Sequence, residues 1–301
     1  MTGSGSVLIS GATGLVGTRL VEALRRDGDA VRTLTRRPQA QEFEATVWDG
    51  LRIPADALTD VRAVVHLAGE PVFAGRLTSA RRQRIRASRI ESTQSIVEAL
   101  ADVPPASRPA VLVCASAVGY YGSRGDEPLD ESVPPGEGFL ADLCVEWERA
   151  AQHANALGVR AVSLRIGIVL AAEGGALRRL ALPFRAGLGG RLGSGSQWFP
   201  WIHVDDLVGM LRAALRDERW RGPVNAVAPA PVTNAELTRS LGRTLRRPTP
   251  LPVPAALLRL ALGELACELL DSRRVVPRAA QEWGFEFTHP SLDEALAAEL
   301  L

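Results

Sequence analysis

The sequence predicts an α/β protein, a doubly wound parallel sheet with a smaller, mainly helical C-terminal part. Three observations carry this. Short β-branched runs alternate with helical patterns up to Ile166; a glycine-spaced turn joins the first run to the first helix; and from Asn234 onward only helical patterns and loops remain. Val7–Ser10, Ala30–Thr35, Ala45–Trp48, Ala63–Leu67, Ala110–Cys114 and Ala161–Ile166 read as strands. Most are continuous apolar runs, as parallel strands covered on both faces require. Apolar residues at three- and four-residue spacing predict helices at Leu15–Arg26, Arg81–Leu100 and Leu140–Leu157. Gly28 and Gly158 follow two of them, where a left-handed C-terminal residue belongs. After Ile166 the chain is glycine-rich around one helix at Ala176–Arg185. Leu207–Leu215 reads as a further helix and Val224–Val227 as the last strand. Asn234–Leu245, Ala255–Leu270 (with a break near Gly263) and Leu292–Leu300 complete the helical part. The expected division is a nucleotide-binding domain of residues 1–166 plus about 202–228, and a substrate domain of 167–201 plus 229–301.

Composition bounds the function. Apolar residues make up 46% of the 301 and charged residues 23%, so the chain is globular rather than disordered or fibrous. A net charge of +1 argues against a nucleic-acid or anionic-membrane binder. Cys114, Cys144 and Cys267 are odd in number and scattered, which points to a reducing compartment. With no signal-peptide pattern and no apolar run approaching ~20 residues, a cytoplasmic location is expected. His66, His153, His203 and His289 stand far apart and at no ligand spacing, so no metal site is expected. All 35 basic residues are arginine. The absence of lysine excludes Schiff-base chemistry, the lysine of phosphate-binding loops, and any Tyr-x-x-x-Lys dyad.

Gly11-Ala12-Thr13-Gly14-Leu15-Val16-Gly17 lies directly after the first strand and opens the first helix. Gly11 permits the tight turn, Gly14 lets backbone approach a pyrophosphate, and Gly17 lets helix pack on strand, with the helix N-terminus offered to the phosphates. This predicts a dinucleotide site. The end of the second strand selects the dinucleotide. Between Asp29 and Glu42 no carboxylate is present to bond a ribose 2′-hydroxyl, while Thr35, Arg36 and Arg37 stand where Arg36 and Arg37 can fork onto a 2′-phosphate. NADP(H) is therefore expected; two solvated loop arginines are the alternative. Asp49 either reaches the adenine or caps a turn. Leu67, Ala68 and Gly69 let backbone pass under the cofactor, and His66 reads as a packed strand residue.

GATGLVG, HLAGEP, SAVGYYG, LRIGIVL and WIHVDDL, in that order, resemble the extended and atypical short-chain dehydrogenase/reductase superfamily. GLGGRLGSGSQWFPWIHVDDL and the tail from Pro252 to Phe287 are similar to epimerase-family proteins with a C-terminal domain of unknown function. The resemblance covers about residues 6–300 and implies a Rossmann fold and a nicotinamide cofactor. It places Ser116 at the superfamily's catalytic Ser/Thr, Phe139 at its tyrosine, Leu143 at its lysine, and Arg89 at its active-site asparagine, beside the cofactor. Three of four tetrad positions depart from the pattern. A reaction that needs a proton must then recruit another acid. Tyr121 or its neighbour Tyr120, and His203, are the candidates, with aromatic packing or a pocket wall the competing role for both tyrosines.

Two acid-free arginine runs, Arg76 to Arg89 and Arg178 to Arg191, favour an anionic substrate group, although a solvated helix face explains most of the first. Arg165, Gln197, Trp198 and Trp201, with Tyr120, are the expected pocket wall. The combined expectation is an NADP(H)-dependent oxidoreductase or nucleotide-sugar epimerase-like enzyme acting on an anionic small molecule. A homodimer is compatible, and neither nucleic acid nor membrane is expected as a partner. A non-catalytic, NADPH-binding redox regulator is the competing class.

Overall fold

The computed structural model describes residues 5–36, 44–54 and 56–301. Seven parallel strands form one sheet: β1 (Ser6–Ser10), β2 (Val31–Thr35), β3 (Ala45–Val47), β4 (Val61–His66), β5 (Val111–Ala117), β6 (Arg160–Ile166) and β7 (Gly222–Ala226). Their spatial order is β3-β2-β1-β4-β5-β6-β7. This is the Rossmann arrangement, whose strand order reverses beside β1, so a crevice opens at the C-terminal ends of β1 and β4.

The helices cover both faces because the strands are apolar on both. Helices α1 (Leu15–Arg26) and α6 (Val204–Arg216) bury Leu20, Leu24, Leu207 and Leu211 against Val7, Ile9, Val65 and Val113. On the other face, α2 (Ser79–Ala87), α3 (Ile90–Asp102) and α4 (Phe139–Gln152) bury Ile85, Ile96, Leu100 and Trp147 against Leu8, Val64 and Leu112. A second core unites α5 (Gly175–Arg185), α7 (Asn234–Leu245) and α11 (Leu292–Leu300) around Trp201. Between α7 and α11 run α8 (Ala255–Leu262), the short α9 (Cys267–Leu270) and α10 (Arg278–Glu282). The break expected near Gly263 is present, with that glycine at φ +61°.

The expected single helix over Arg81–Leu100 is two helices. The chain turns at Ser88 and Arg89, where Ser88 Oγ donates to the Ile85 carbonyl and accepts from the Glu70 N–H at 2.9 Å. No glycine or proline marks this break; a loop 18 residues upstream in sequence creates it. Leu140–Leu157 likewise ends in a 3-10 turn over His153–Leu157.

Sequence periodicity also missed short strands that tie the C-terminal part to the sheet. Arg274–Val275 pairs with Pro128–Leu129, and Trp201–His203 with Ile168–Leu170. Around the first pair, Arg273 Nε donates to the Gly122 carbonyl at 2.8 Å and Ser272 Oγ to that of Gly125 at 2.6 Å. Asn225 of β7 donates to both Leu129 and Val276 carbonyls. Among the described residues no helix is long and apolar enough to cross a membrane.

Candidate functional site

The turn after β1 is built as its glycines require. Gly11 has φ +75°, and a Cβ on it would lie 2.8 Å from the Ala68 nitrogen. A Cβ on Gly17 would lie 2.1 Å from the Gly11 carbonyl oxygen, so α1 can pack on the turn only without one. Gly14 closes the turn by donating to the Gly11 carbonyl at 3.0 Å. No side chain caps α1 and no acid occupies its first turn. The N–H groups at its start and its dipole are left for an anion.

One cleft joins this turn to most of the expected cofactor residues. Gly11, Ala12, Thr13, Gly14, Thr35, Arg36, Asp49, Leu67, Ala68 and Gly69 all line it. Leu15 lies on an adjoining groove beside Thr13 and Gly14, while Val16 packs against the core. Arg36 is exposed on the rim; Arg37 falls outside the described residues. Asp49 caps a turn, accepting from the Leu51 and Arg52 N–H groups, which hold its carboxyl below the usual range. Trp48, which no sequence signal singled out, forms part of the wall.

Beneath the cleft His66 is fully buried. Its Nδ1 lies 2.6 Å from Ser10 Oγ and its Nε2 3.0 Å from Ser92 Oγ. Ser92 Oγ already donates to the Ser88 carbonyl, so it accepts from Nε2–H, and Nδ1 accepts from Ser10. Burial, with the nearby Arg89 charge, pushes the imidazole down to about 3. The unfolded histidine titrates near 6.5 and the folded one lower, so this contribution is complete above pH ~6.5 and is lost as pH falls toward 3. Denaturant unfolding should show stability falling by about 2–3 kcal/mol from this residue between pH 6.5 and 4.5. His66→Asn should flatten that slope, and an unchanged slope would refute the assignment.

The expected catalytic group is dispersed. Ser116 is 3% exposed and donates to Glu148 at 2.7 Å, and Glu148 in turn pairs with Arg165 through two 2.9 Å hydrogen bonds. Tyr121, expected as proton donor, is fully buried. Its hydroxyl donates toward Asn225 Oδ1 and the Asp130 carbonyl and accepts from Arg165. Burial raises it to about 12, and its hydrogen bonds commit the hydroxyl to anchoring the turn. Tyr120 is different. Its ring covers the Arg165 guanidinium at 3.4 Å, and its hydroxyl has no hydrogen-bond partner among the described residues.

The face that α4 turns to the end of β5 is one residue later than expected. A Cβ on Gly119 would meet Leu140 at 3.5 Å, and Cys144 Sγ reaches the Ala117 carbonyl at 3.6 Å. Phe139 instead lies under the Arg82 guanidinium, and Leu143 is buried in the core. One residue on a helix is a 100° rotation, which is why Leu140 and Cys144 occupy that face.

His203 and the aromatic motif lie elsewhere. His203 caps α6 through Nδ1, approaches Glu299 of α11 at 3.0 Å, and stacks on His289 at 3.7 Å. Residues 86 apart in sequence thus meet, beside Asp205, against the expectation from their spacing. Burial and His289 hold His203 below its ordinary pKa. Gln197 Nε2 donates to the Leu192 and Leu269 carbonyls, and Trp198 Nε1 to Asp126. Trp201 is 1% exposed in the second core. Gln197, Trp198 and Trp201 are clamps between segments rather than walls of the cofactor cleft.

A second cavity, of about 340 Å³, opens beside the turn after β5. Gly119, Phe139 and Leu140 form one side, and Glu264, Cys267 and Asp271 of the C-terminal part the other. Arg82 bridges them through an ion pair with Glu264. Sequence reasoning missed the C-terminal side of this cavity, because only the fold brings residues 264–273 to α4.

Comparison with known proteins matches this geometry. Residues 7–226 fit the NAD dependent epimerase/dehydratase family, and residues 253–299 a domain of unknown function. An epimerase family protein of Mycobacterium bovis is 44% identical over 96% of this chain and 96% of its own. A chloroplastic homologue of SDR39U1 from Arabidopsis thaliana is 42% identical over 97% of this chain and 86% of its own. The crystal structure of human epimerase family protein SDR39U1 with NADPH superposes with a TM-score of 0.89 at 35% identity, covering 98% of each chain. With the glycine turn, the strand order and these matches in agreement along the sheet, the chain belongs to the NAD-dependent epimerase/dehydratase family.

Proposed function

We propose that the protein is an NADP(H)-dependent oxidoreductase or nucleotide-sugar epimerase-like enzyme acting on an anionic small molecule. The observation that carries the cofactor is Arg36, exposed on the rim of the cleft just past the end of β2, where the nearby wall carboxylate, Asp49, is engaged by the Leu51 and Arg52 N–H groups. The NADPH present in the human SDR39U1 crystal agrees with this reading. Gly11–Gly14 and the start of α1 would hold the pyrophosphate, Arg36 the 2′-phosphate, and Leu67–Gly69 the backbone path beneath. When bound, the cofactor supplies or accepts hydride.

The chain's own residues supply the rest. The 340 Å³ cavity beside Gly119 suits a small substrate. Arg178 and Arg185 on α5 are exposed and have no ion-pair partner among the described residues, which leaves them for an anionic group outside that cavity, whose own charged lining is Arg82 and Arg273 against Glu137, Glu264, Glu268 and Asp271. Most of the first arginine run is already spent, Arg81 on the Pro71 and Val72 carbonyls and Arg86 on Glu146. The free Tyr120 hydroxyl is the better proton donor, since Tyr121 is committed to the core. The regulator reading draws on one feature: Leu140 and Cys144 place no proton-donating acid on the α4 face.

Calorimetric titration tests the cofactor. NADPH should bind at least about tenfold more tightly than NADH, and Arg36→Ala should remove roughly 10–100-fold of the NADPH affinity. Equal affinities for the two cofactors would overturn the reading.

A further inference from the structure

We propose that the cleft discriminates the oxidation state of its cofactor, holding NADPH in preference to NADP+, and that Arg89 is the residue responsible. The inference rests on the NADP(H) reading above and deepens it.

The position of Arg89 follows from the sheet. The phosphate turn lies at the end of β1, and Arg36 and Asp49 lie beyond it at β2 and β3. A dinucleotide spanning the crevice therefore carries its nicotinamide half over β4 and β5. Arg89 stands on that side. It forms the N-terminus of α3 and reaches back beneath the backbone of Gly69, where a Cβ would come 3.3 Å from its guanidinium carbon. The guanidinium also lies over the Trp147 ring of α4 at 5.2 Å. Nη1 donates to the Glu70 carbonyl at 2.9 Å and, more weakly, to Ile85 and Ser88. Nε and Nη2 have no hydrogen-bond partner among the described residues, and neither is sealed from solvent. Gly69, Glu70, Ser88 and Ser92, which surround Arg89, all line the cofactor cleft.

Among the described residues no carboxylate lies within ion-pairing distance of this charge, and Glu70 attracts it only from farther off. The acids of α4 that face the sheet and α2 are already taken, Glu148 by Arg165 and Glu146 by Arg86. Glu70 contributes its backbone carbonyl as the close contact. Arginine keeps its proton at any relevant pH, so the charge is permanent. Burial lowers its pKa without neutralising it.

A cation so placed acts unequally on the two redox forms. The oxidised nicotinamide ring carries a positive charge and the reduced ring carries none. Contacts from Nε and Nη2 to hydroxyls of the neighbouring ribose would strengthen both forms equally. The repulsion falls on the oxidised form alone. A like charge held within several ångströms in an enclosed site is expected to separate the two affinities by about 10–50-fold.

The test measures dissociation constants for NADPH and NADP+ with the full chain, by calorimetry and by tryptophan fluorescence, in wild type, Arg89→Gln and Arg89→Lys. Thermal unfolding of each variant reports whether it is folded. Wild type should bind NADPH about 10–50-fold more tightly; Arg89→Gln should bring the ratio within about threefold of unity, and Arg89→Lys should keep most of it. Equal wild-type affinities overturn the proposal, without needing any variant. So does a ratio that survives Arg89→Gln while both affinities fall, since that is a purely structural arginine. Failure of NADPH itself to bind wild type would instead remove the cofactor reading and this inference with it.

Discussion

Glu148→Ala should lower folding stability by about 3–5 kcal/mol, the cost of leaving a buried charge without its partner. Arg165 is 2% exposed and lies between Glu148, the Tyr120 ring and the Tyr121 hydroxyl. Without the carboxylate its guanidinium stays charged in the core, and Ser116 loses its acceptor. Denaturant unfolding measures the loss, and a change below about 1 kcal/mol would refute the role given to this pair. Glu148→Ala/Arg165→Met removes both charges and should recover much of the stability, because matched apolar replacement of a buried pair is often neutral.

Gly17→Ala should reduce NADPH affinity by at least about 100-fold. The new methyl would lie 2.1 Å from the Gly11 oxygen and 2.8 Å from Ala12 Cα, both backbone atoms that cannot swing aside. The turn must open, and a displacement near 1 Å at a positioning element costs on the order of 10²-fold. Gly28→Ala is the control. Gly28 sits at φ +84° in open space after α1, so its substitution should cost about 1 kcal/mol of stability and leave binding intact. Equal effects of the two substitutions on binding would overturn the account of the turn.

What the sequence disclosed was local. The glycine turn, the apolar parallel strands and the missing carboxylate after β2 each depend on residues within a few positions of one another. The break at Ser88 and Arg89 does not, because Glu70 makes it. Gln197, Trp198 and His203 looked like pocket residues because polar and aromatic side chains cluster there, yet their partners are Leu269, Asp126 and Glu299. No periodicity records such pairings. The same holds for Tyr121, whose motif is recognisable but whose hydroxyl is consumed by Asn225, 104 residues away. Arg89 was placed beside the cofactor from its motif position; that no carboxylate among the described residues pairs with it emerged only from the packing of α2 against α4.

The latch between Arg273 and Gly122 also sets a schedule for synthesis. The two residues are 151 apart. At about 5–20 residues per second, roughly 8–30 s separate their appearance at the ribosome. Through that interval β1 to β5 have emerged, yet the turn holding Tyr120 and Tyr121 has neither its Arg273 latch nor the strand that pairs with Pro128–Leu129. The nascent chain therefore carries the unpaired Pro128–Leu129 edge, and a cavity beside Gly119 closed on one side only, until residues 264–275 arrive. Holding factors that act during translation have their longest window at that edge.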